Sequence, residues 1–321
     1  MVNLRNIQAH NATLASSAPN LVAVFVGGTS GIALSTALAL ARHTPSPSIY
    51  LVGRSQPAAD AAIATMREMN PSARATFLRA DISVLKNVDA VCDTIRAKEE
   101  RLNLLFMTPG YMTLKGWDET ADGLDRKFVL HYYARMRFIV NLLPLLTAAA
   151  LDADADADTD AGTTTTPRAS LSRVVSVLDP LVSVRAGGSG RLDLSDLSLE
   201  RSFTLSRCGA HASLMGNFFL EGMARRHPRT SFVHAYPSGV HTGLLRELPA
   251  ARALSAVLGT LLSPFMVPLR ESGERHLFAA TTERFPSKAG EGSVSHGHHV
   301  AAVGSEGTRG SGCYWVNWDA A

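Results

Sequence analysis

"VGGTSGIALS", Val26–Ser35, is the stretch that decides the fold of this chain. The apolar run "LVAVF" (Leu21–Phe25) precedes it, and "TALALAR" (Thr36–Arg42), rich in strong helix formers, follows it. A strand that breaks at glycines and passes straight into a helix gathers backbone N–H groups at one point. The helix N-terminus adds a partial positive charge there. Gly27, Gly28 and Gly31 allow the tight turn and the close approach that a pyrophosphate needs. Where a third glycine would let the helix pack closely on the strand, the chain has Ala33. Its methyl is expected to cost affinity without closing the loop. A glycine-rich turn alone is weak evidence, and the strand–turn–helix context gives it weight.

Outward from this loop, near-continuous hydrophobic runs recur at Leu21–Gly27, Ser48–Arg54, Arg74–Asp81, Leu102–Pro109, Ser172–Leu178, Ser231–Tyr236 and Cys313–Trp318. Such runs suit strands buried on both faces of a parallel sheet. Between them, Ile32–Arg42, Pro57–Met69, Val84–Glu100, Trp117–Ala149 and Ser206–Arg226 are long enough for crossover helices. The alternation predicts an α/β fold, a Rossmann-type doubly wound parallel sheet with flanking helices in a single domain. Residues 1–20 read as an N-terminal extension, 21–285 as the domain and 313–321 as its last strand. The acidic, Thr-rich "LDADADADTDAGTTTTPRAS" (151–170) has no apolar period and reads as a disordered insertion. The Gly/Ser-rich stretch 286–312 reads as a flexible loop. Its "HGHH" has neither carboxylate nor cysteine nearby, so no metal is assigned.

At 321 residues, 46% hydrophobic and 18% charged, the chain has the composition of an ordinary globular protein. The net charge of +3 comes from scattered arginines with no basic stripe, so no nucleic-acid partner is expected. Three separated cysteines argue against a disulfide framework and for a reducing, cytoplasmic setting. No run reaches the ~20 apolar residues of a membrane span. "ALSAVLGTLLSPFMVP" (253–268), broken by Pro264, reads better as part of a lid (243–270) over an apolar ligand.

Two further positions fit a dinucleotide. Arg54 and Ser55 end the second run, where an acid would otherwise grip an unphosphorylated ribose. A guanidinium and a hydroxyl suit a 2′-phosphate, which favours NADP over NAD. Asp81, ending the third run, can meet an adenine amino group; its structural alternative is a helix N-cap.

With these features in register, the chain resembles the short-chain dehydrogenase/reductase family from about Leu21 to Thr242, and in detail a fungal branch often found in secondary-metabolite pathways. "VGGTSGIA" resembles the family's TGGxxGIG loop, and "YPSGVHT" (Tyr236–Thr242) its PGxVxT segment over the nicotinamide. The resemblance implies NADP(H) held by Gly27, Thr29, Ser30, Gly31, Ile32, Arg54, Ser55, Asp81 and Thr242. It also implies a lipophilic small-molecule substrate under the lid, and a homodimer or homotetramer through the helices 117–149 and 206–226.

The family's catalytic Asn, Ser and Tyr-x-x-x-Lys are absent. Their positions fall on His131, Asp179, Arg207 and His211. The one string that satisfies the pattern, "YMTLK" (Tyr111–Lys115), follows the fourth strand and reads as a coincidence. A histidine with a carboxylate beside it can move a proton, and an arginine can hold an oxyanion. Each could equally be a packed histidine or a structural ion pair. The expectation is therefore a divergent NADP-dependent oxidoreductase. The alternatives are a redox-neutral dehydratase, isomerase or cyclase on the same fold, and a silent dinucleotide-binding module.

Overall fold

The computed structural model describes residues 2–157, 171–182, 191–240, 242, 266–289 and 300–320. Seven strands form one all-parallel sheet: β1 Val22–Val26, β2 Ser48–Gly53, β3 Arg74–Arg79, β4 Leu104–Met107, β5 Arg173–Val177, β6 Ser231–Ala235 and β7 Cys313–Val316. Their order is β3-β2-β1-β4-β5-β6-β7, so the strand direction of travel reverses between β1 and β4. Ligands bind at such a switch point in open α/β sheets. The expected doubly wound fold is borne out, with each strand a little shorter than its apolar run.

Alternation along each strand divides the core into two layers. Ala23, Phe25, Ile49, Leu51 and Phe106 face one layer, where they pack with α2 (Gly31–His43), α3 (Gln56–Met69) and Leu277 and Ala280 of a later helix. Val22, Val24, Val26 and Leu105 face the other, against α4 (Leu85–Arg96) and the long helix that follows β4. That helix begins later than its sequence suggests. Residues 117–125 form a loop in which Asp125 accepts hydrogen bonds from the Asp118 and Phe128 amides at 3.0 and 2.9 Å. This cap starts a short turn, α5 (Arg126–Phe128), which runs through a π-helical turn at Val129–Tyr133 into α6 (Ala134–Ala157). The backbone of α6 thus takes in the first residues of 151–170; residues 158–170 lie outside those described.

Contrary to the sequence reading, one helical run, 126–151, is long and apolar enough to cross a membrane. More than half of its most apolar window is buried against the sheet, which marks a core helix. α7 (Leu205–Arg226) matches its expected span, with Thr204 accepting from the Arg207 amide at 3.1 Å.

Two helices have no counterpart in the sequence reading, α1 (Leu4–Ser17) and α8 (Leu269–Thr281). They pack on each other, and α8 packs on α2, where Gly273 lies against the Ser35 backbone and the Ser35 hydroxyl donates to Leu269 O at 2.8 Å. Buried Glu274 accepts from Asn11 Nδ2 at 2.7 Å and from Arg42 at 3.1 Å, and lies 3.1 Å from His43 Nε2. Buried Arg173 at the start of β5 donates to the carbonyls of Ala279, Thr282 and Phe285 at 3.1, 2.9 and 2.6 Å. These contacts fix α8 against the sheet.

Candidate active site

The glycine loop takes the shape its sequence requires. Gly27 and Gly31 have φ of +81° and +60°, the left-handed region that side chains disfavour. The Gly27 and Gly28 amides both donate to Val52 O, at 3.0 and 3.1 Å. A Cβ on Gly28 would lie 2.7 Å from Phe25 O. Ser30 is the N-cap residue of α2 without a side-chain cap bond, so the hydroxyl leaves the first N–H groups of the helix open to a ligand. Thr29 packs against Gly53, and Ile32 lies against the core. Thr242 stands over the loop, its methyl 3.5 Å from where a Cβ on Gly31 would be. Ala33 is fully buried in the core layer shared with Phe25 and Ala37. Its methyl fills interior space.

Along β3 and α4, a cleft of about 630 Å³ is lined by Phe77, Arg79, Asp81, Asn87 and Thr94, with Arg54 reaching it from the end of β2. Arg54 and Ser55 are exposed at its mouth, and Ser55 also caps α3 by accepting from the Ala58 amide at 3.4 Å. Asp81 Oδ1 accepts from the Ser83 amide and hydroxyl at 3.0 and 2.7 Å, the capping arrangement its sequence context allows. Burial works to raise the Asp81 carboxyl pKa. The Ser83 hydrogen bonds and the charges of Arg54 and Arg126 outweigh it and hold the group below the usual range. Arg79, which sequence reasoning passed over, pairs in register with Gly53 and so ends its strand beside Arg54. Its signal was a cation directly before the "AD" pair. A cleft with two guanidiniums and a ligand-ready glycine loop fits a 2′-phosphorylated dinucleotide. Such a cofactor would lie across the β1/β4 switch point with its adenosine toward β2 and β3.

At the other end, the four replaced catalytic positions each have their own partners. His131, in the π-helical turn, lies against Gly110, whose Cβ would come within 2.7 Å of Nε2. The ring keeps some exposed surface but is otherwise enclosed. This enclosure, with Arg135 and Lys127 nearby, pushes its pKa down to about 3. Asp179 Oδ1 accepts from the Leu181 amide at 2.9 Å, and Asp179 O accepts from the Ser213 hydroxyl at 2.9 Å. Arg207 donates to Asp193 Oδ2 at 3.0 Å, and the Asp193 amide donates to His211 Nε2 at 3.2 Å. Asp193 therefore joins two of the four, a role no sequence signal marked. Since His211 Nε2 accepts, its proton is on Nδ1, a buried atom. Burial lowers the His211 pKa, although the Leu197 backbone close to the ring works against the fall, so the ring is neutral near pH 7.

Beneath these residues lie two buried polar groups that sequence reasoning also missed. Arg135 donates to Pro109 O at 2.6 Å, to Ser176 Oγ and Val177 O at 2.9 Å each, and to Leu130 O at 3.2 Å. His234, opposite Ser176 across β5 and β6, donates from Nδ1 to Asn217 Oδ1 at 2.6 Å, while Asn217 Nδ2 donates to Pro180 O at 2.9 Å. The Tyr111–Lys115 string lies in the loop after β4, with Met112 and Leu114 exposed beside it. Among the described residues no group of His, Cys, Asp or Glu side chains is placed to hold a metal, and "HGHH" lies outside them.

Fold and loop together define a Rossmann-type doubly wound α/β protein. The family model for short chain dehydrogenase matches residues 21–147. The chain is 39% identical to Oxidoreductase AN1596 of Emericella nidulans over 99% of this chain and 89% of that protein. It is 35% identical to Oxidoreductase andH of Emericella variicolor over 100% of this chain and 89% of that one. Among solved structures, L-sorbose reductase of Gluconobacter frateurii complexed with NADPH and L-sorbose superposes with a TM-score of 0.57, covering 94% of this chain and 97% of that chain at 15% identity. This chain belongs to the short-chain dehydrogenase/reductase family.

Proposed function

We propose that the protein is an NADP(H)-dependent oxidoreductase acting on a lipophilic small molecule in fungal secondary metabolism, without the family's usual proton relay. The observation that carries this reading is the cofactor cradle. It comprises the left-handed glycines, Thr242 over Gly31, and Arg54 with Arg79 at the mouth of the adenosine-side cleft. The similarity to fungal oxidoreductases along nearly the whole chain, and to an NADPH-bound reductase in fold, supports it. The cofactor supplies hydride. In this reading Gly31 and Ser30 hold its pyrophosphate, Gly27 lets the backbone turn beneath it, Arg54 and Ser55 hold its 2′-phosphate, Asp81 its adenine, and Thr242 closes over it.

The proposed carbonyl partner is Arg207, whose partly exposed guanidinium is held by the Asp193 carboxylate. Buried His211 accepts the Asp193 amide at Nε2 and so fixes the residue that holds Arg207. The substrate proton comes finally from water. His131, neutral and very weakly basic, serves as a packed or hydrogen-bonding residue. Asp179 shapes the turn after β5.

The test is titration of purified protein with NADPH and NADH by nicotinamide fluorescence and calorimetry. The expected result is NADPH-selective binding that falls at least tenfold in Arg54→Ala, with NADH binding little changed. Equal affinity for both nucleotides in the unmodified protein removes the NADP assignment. Absence of binding to either moves the protein to redox-neutral chemistry.

A further inference from the structure

Arg135 is a fully buried guanidinium that faces no carboxylate among the described residues, and burial alone moves its pKa, down to about 9. It therefore stays cationic at neutral pH. Buried Arg173, by contrast, is offset by the carbonyls at the C-terminal end of α8, where the helix dipole is negative. Arg135 has no helix end of that kind. Its acceptors are carbonyls just beyond β4 and at the end of β5, a serine hydroxyl, and one carbonyl of the π-helical turn. The nearby His131 and His234 are both held neutral, each to about 3, first by burial and then by the Arg135 charge. The ends of β4 and β5 thus carry a buried positive charge that is hydrogen-bonded to neutral acceptors and paired with no carboxylate among the described residues, an arrangement that is costly to bury.

Resting on the NADP(H) reading above, we propose that Arg135 sets the redox preference of the cofactor site, favouring NADPH over NADP⁺. In a doubly wound sheet the half of the dinucleotide beyond the switch point lies over the strands Arg135 ties together. Loss of hydride turns a neutral dihydropyridine into a pyridinium with one additional positive charge. A fixed cation beneath the ring disfavours that charge and leaves the adenosine half unaffected. Enclosed by its protein acceptors, Arg135 would act through the potential it holds and the strand ends it positions.

The experiment measures affinities for NADPH, NADP⁺ and adenosine 2′,5′-bisphosphate at pH 7 in the unmodified protein, Arg135→Met and Arg135→Lys. A unit charge acting over roughly 10 Å at an effective dielectric near 20 changes binding by about tenfold. The unmodified protein is expected to prefer NADPH to NADP⁺ by about that factor. Arg135→Met should reduce the preference at least fivefold and Arg135→Lys keep most of it. Affinity for the bisphosphate, which has no nicotinamide, should be the same in all three. A purely structural role for Arg135 would weaken all ligands together. An unmodified protein that binds both redox forms equally overturns the proposal even if Arg135→Met does not fold, as does an Arg135→Met protein with an unchanged ratio. Binding of the bisphosphate with no binding of either dinucleotide, or no binding at all, removes the cofactor reading and this inference with it.

Discussion

At the scale of single residues, backbone geometry gives the sharpest expectations. Ser238 has φ of +62°, the left-handed region, at the place where the family's PGxVxT pattern has glycine. An L-residue there is strained, so Ser238→Gly should stabilise the protein by about 0.5–1 kcal/mol, read as a higher urea midpoint. An unchanged midpoint would mean that the serine side chain offsets its own strain. Gly31 presents the reverse case. Gly31→Ala adds a methyl facing Thr242 and a left-handed penalty of about 1–2 kcal/mol. NADPH affinity should fall at least tenfold while the far-UV spectrum is unchanged.

The residues legible in the sequence were those whose chemistry is local. The glycines, Arg54 and Asp81 sit at fixed offsets from strand ends. Arg135 was illegible because its acceptors at Pro109, Ser176 and Val177 are separated from it by 26, 41 and 42 positions. In the run "YYARMRFIV" nothing distinguishes it from a surface arginine. Asp193 reaches Arg207 and His211 only because the loop before α7 folds back over that helix. Ala33, read as standing where a glycine would let the helix pack closely on the strand, does turn its methyl into that contact.

Among the elements, the strands were legible because burial on both faces leaves an almost unbroken apolar run. Helices α1 and α8 were not. The sequence of α8, "LRESGERHLFAAT", contains a glycine and a cluster of charged groups, and these hide its buried face. Those charges are buried because α1 and α2 supply partners for them. Glu274 bonds to Asn11 of α1 and to Arg42 beside His43 of α2, so one carboxylate clamps three helices. Burial would raise its pKa, but the His43 and Asn11 hydrogen bonds and the Arg42 charge keep it below the ordinary glutamate value. Because Arg42 is partly exposed, the ion pair is screened on one side. Glu274→Ala should cost about 2–3 kcal/mol of unfolding free energy, mainly from the polar groups left buried without a partner. A loss below about 0.5 kcal/mol in urea unfolding would show that the three helices hold without it.

For the whole molecule, buried neutral histidines set the response to acid. His234 and His276 are pushed down to about 3 and about 4 by burial, His131 to about 3. An unfolded histidine protonates near pH 6.5. Between that value and the folded pKa, the unfolded chain binds more protons, so stability falls as pH falls. The contribution is fully present above about pH 6.5 and is lost progressively toward pH 3–4. Each histidine adds up to about 1.4 kcal/mol per pH unit within that window. Urea midpoints measured from pH 7.5 to pH 5 should therefore fall steadily. A flat profile would mean that these rings titrate normally in the folded protein. The backbone bond from Val2 to Asp319 O, at 3.0 Å, has a consequence of another kind. It places residues 2 and 319 side by side, so the start of α1 is held against the stretch that follows β7. Ile7 of α1, Phe278 of α8 and Ala320 close a small apolar cluster there, so α1, α8 and the residues after β7 should loosen as one unit.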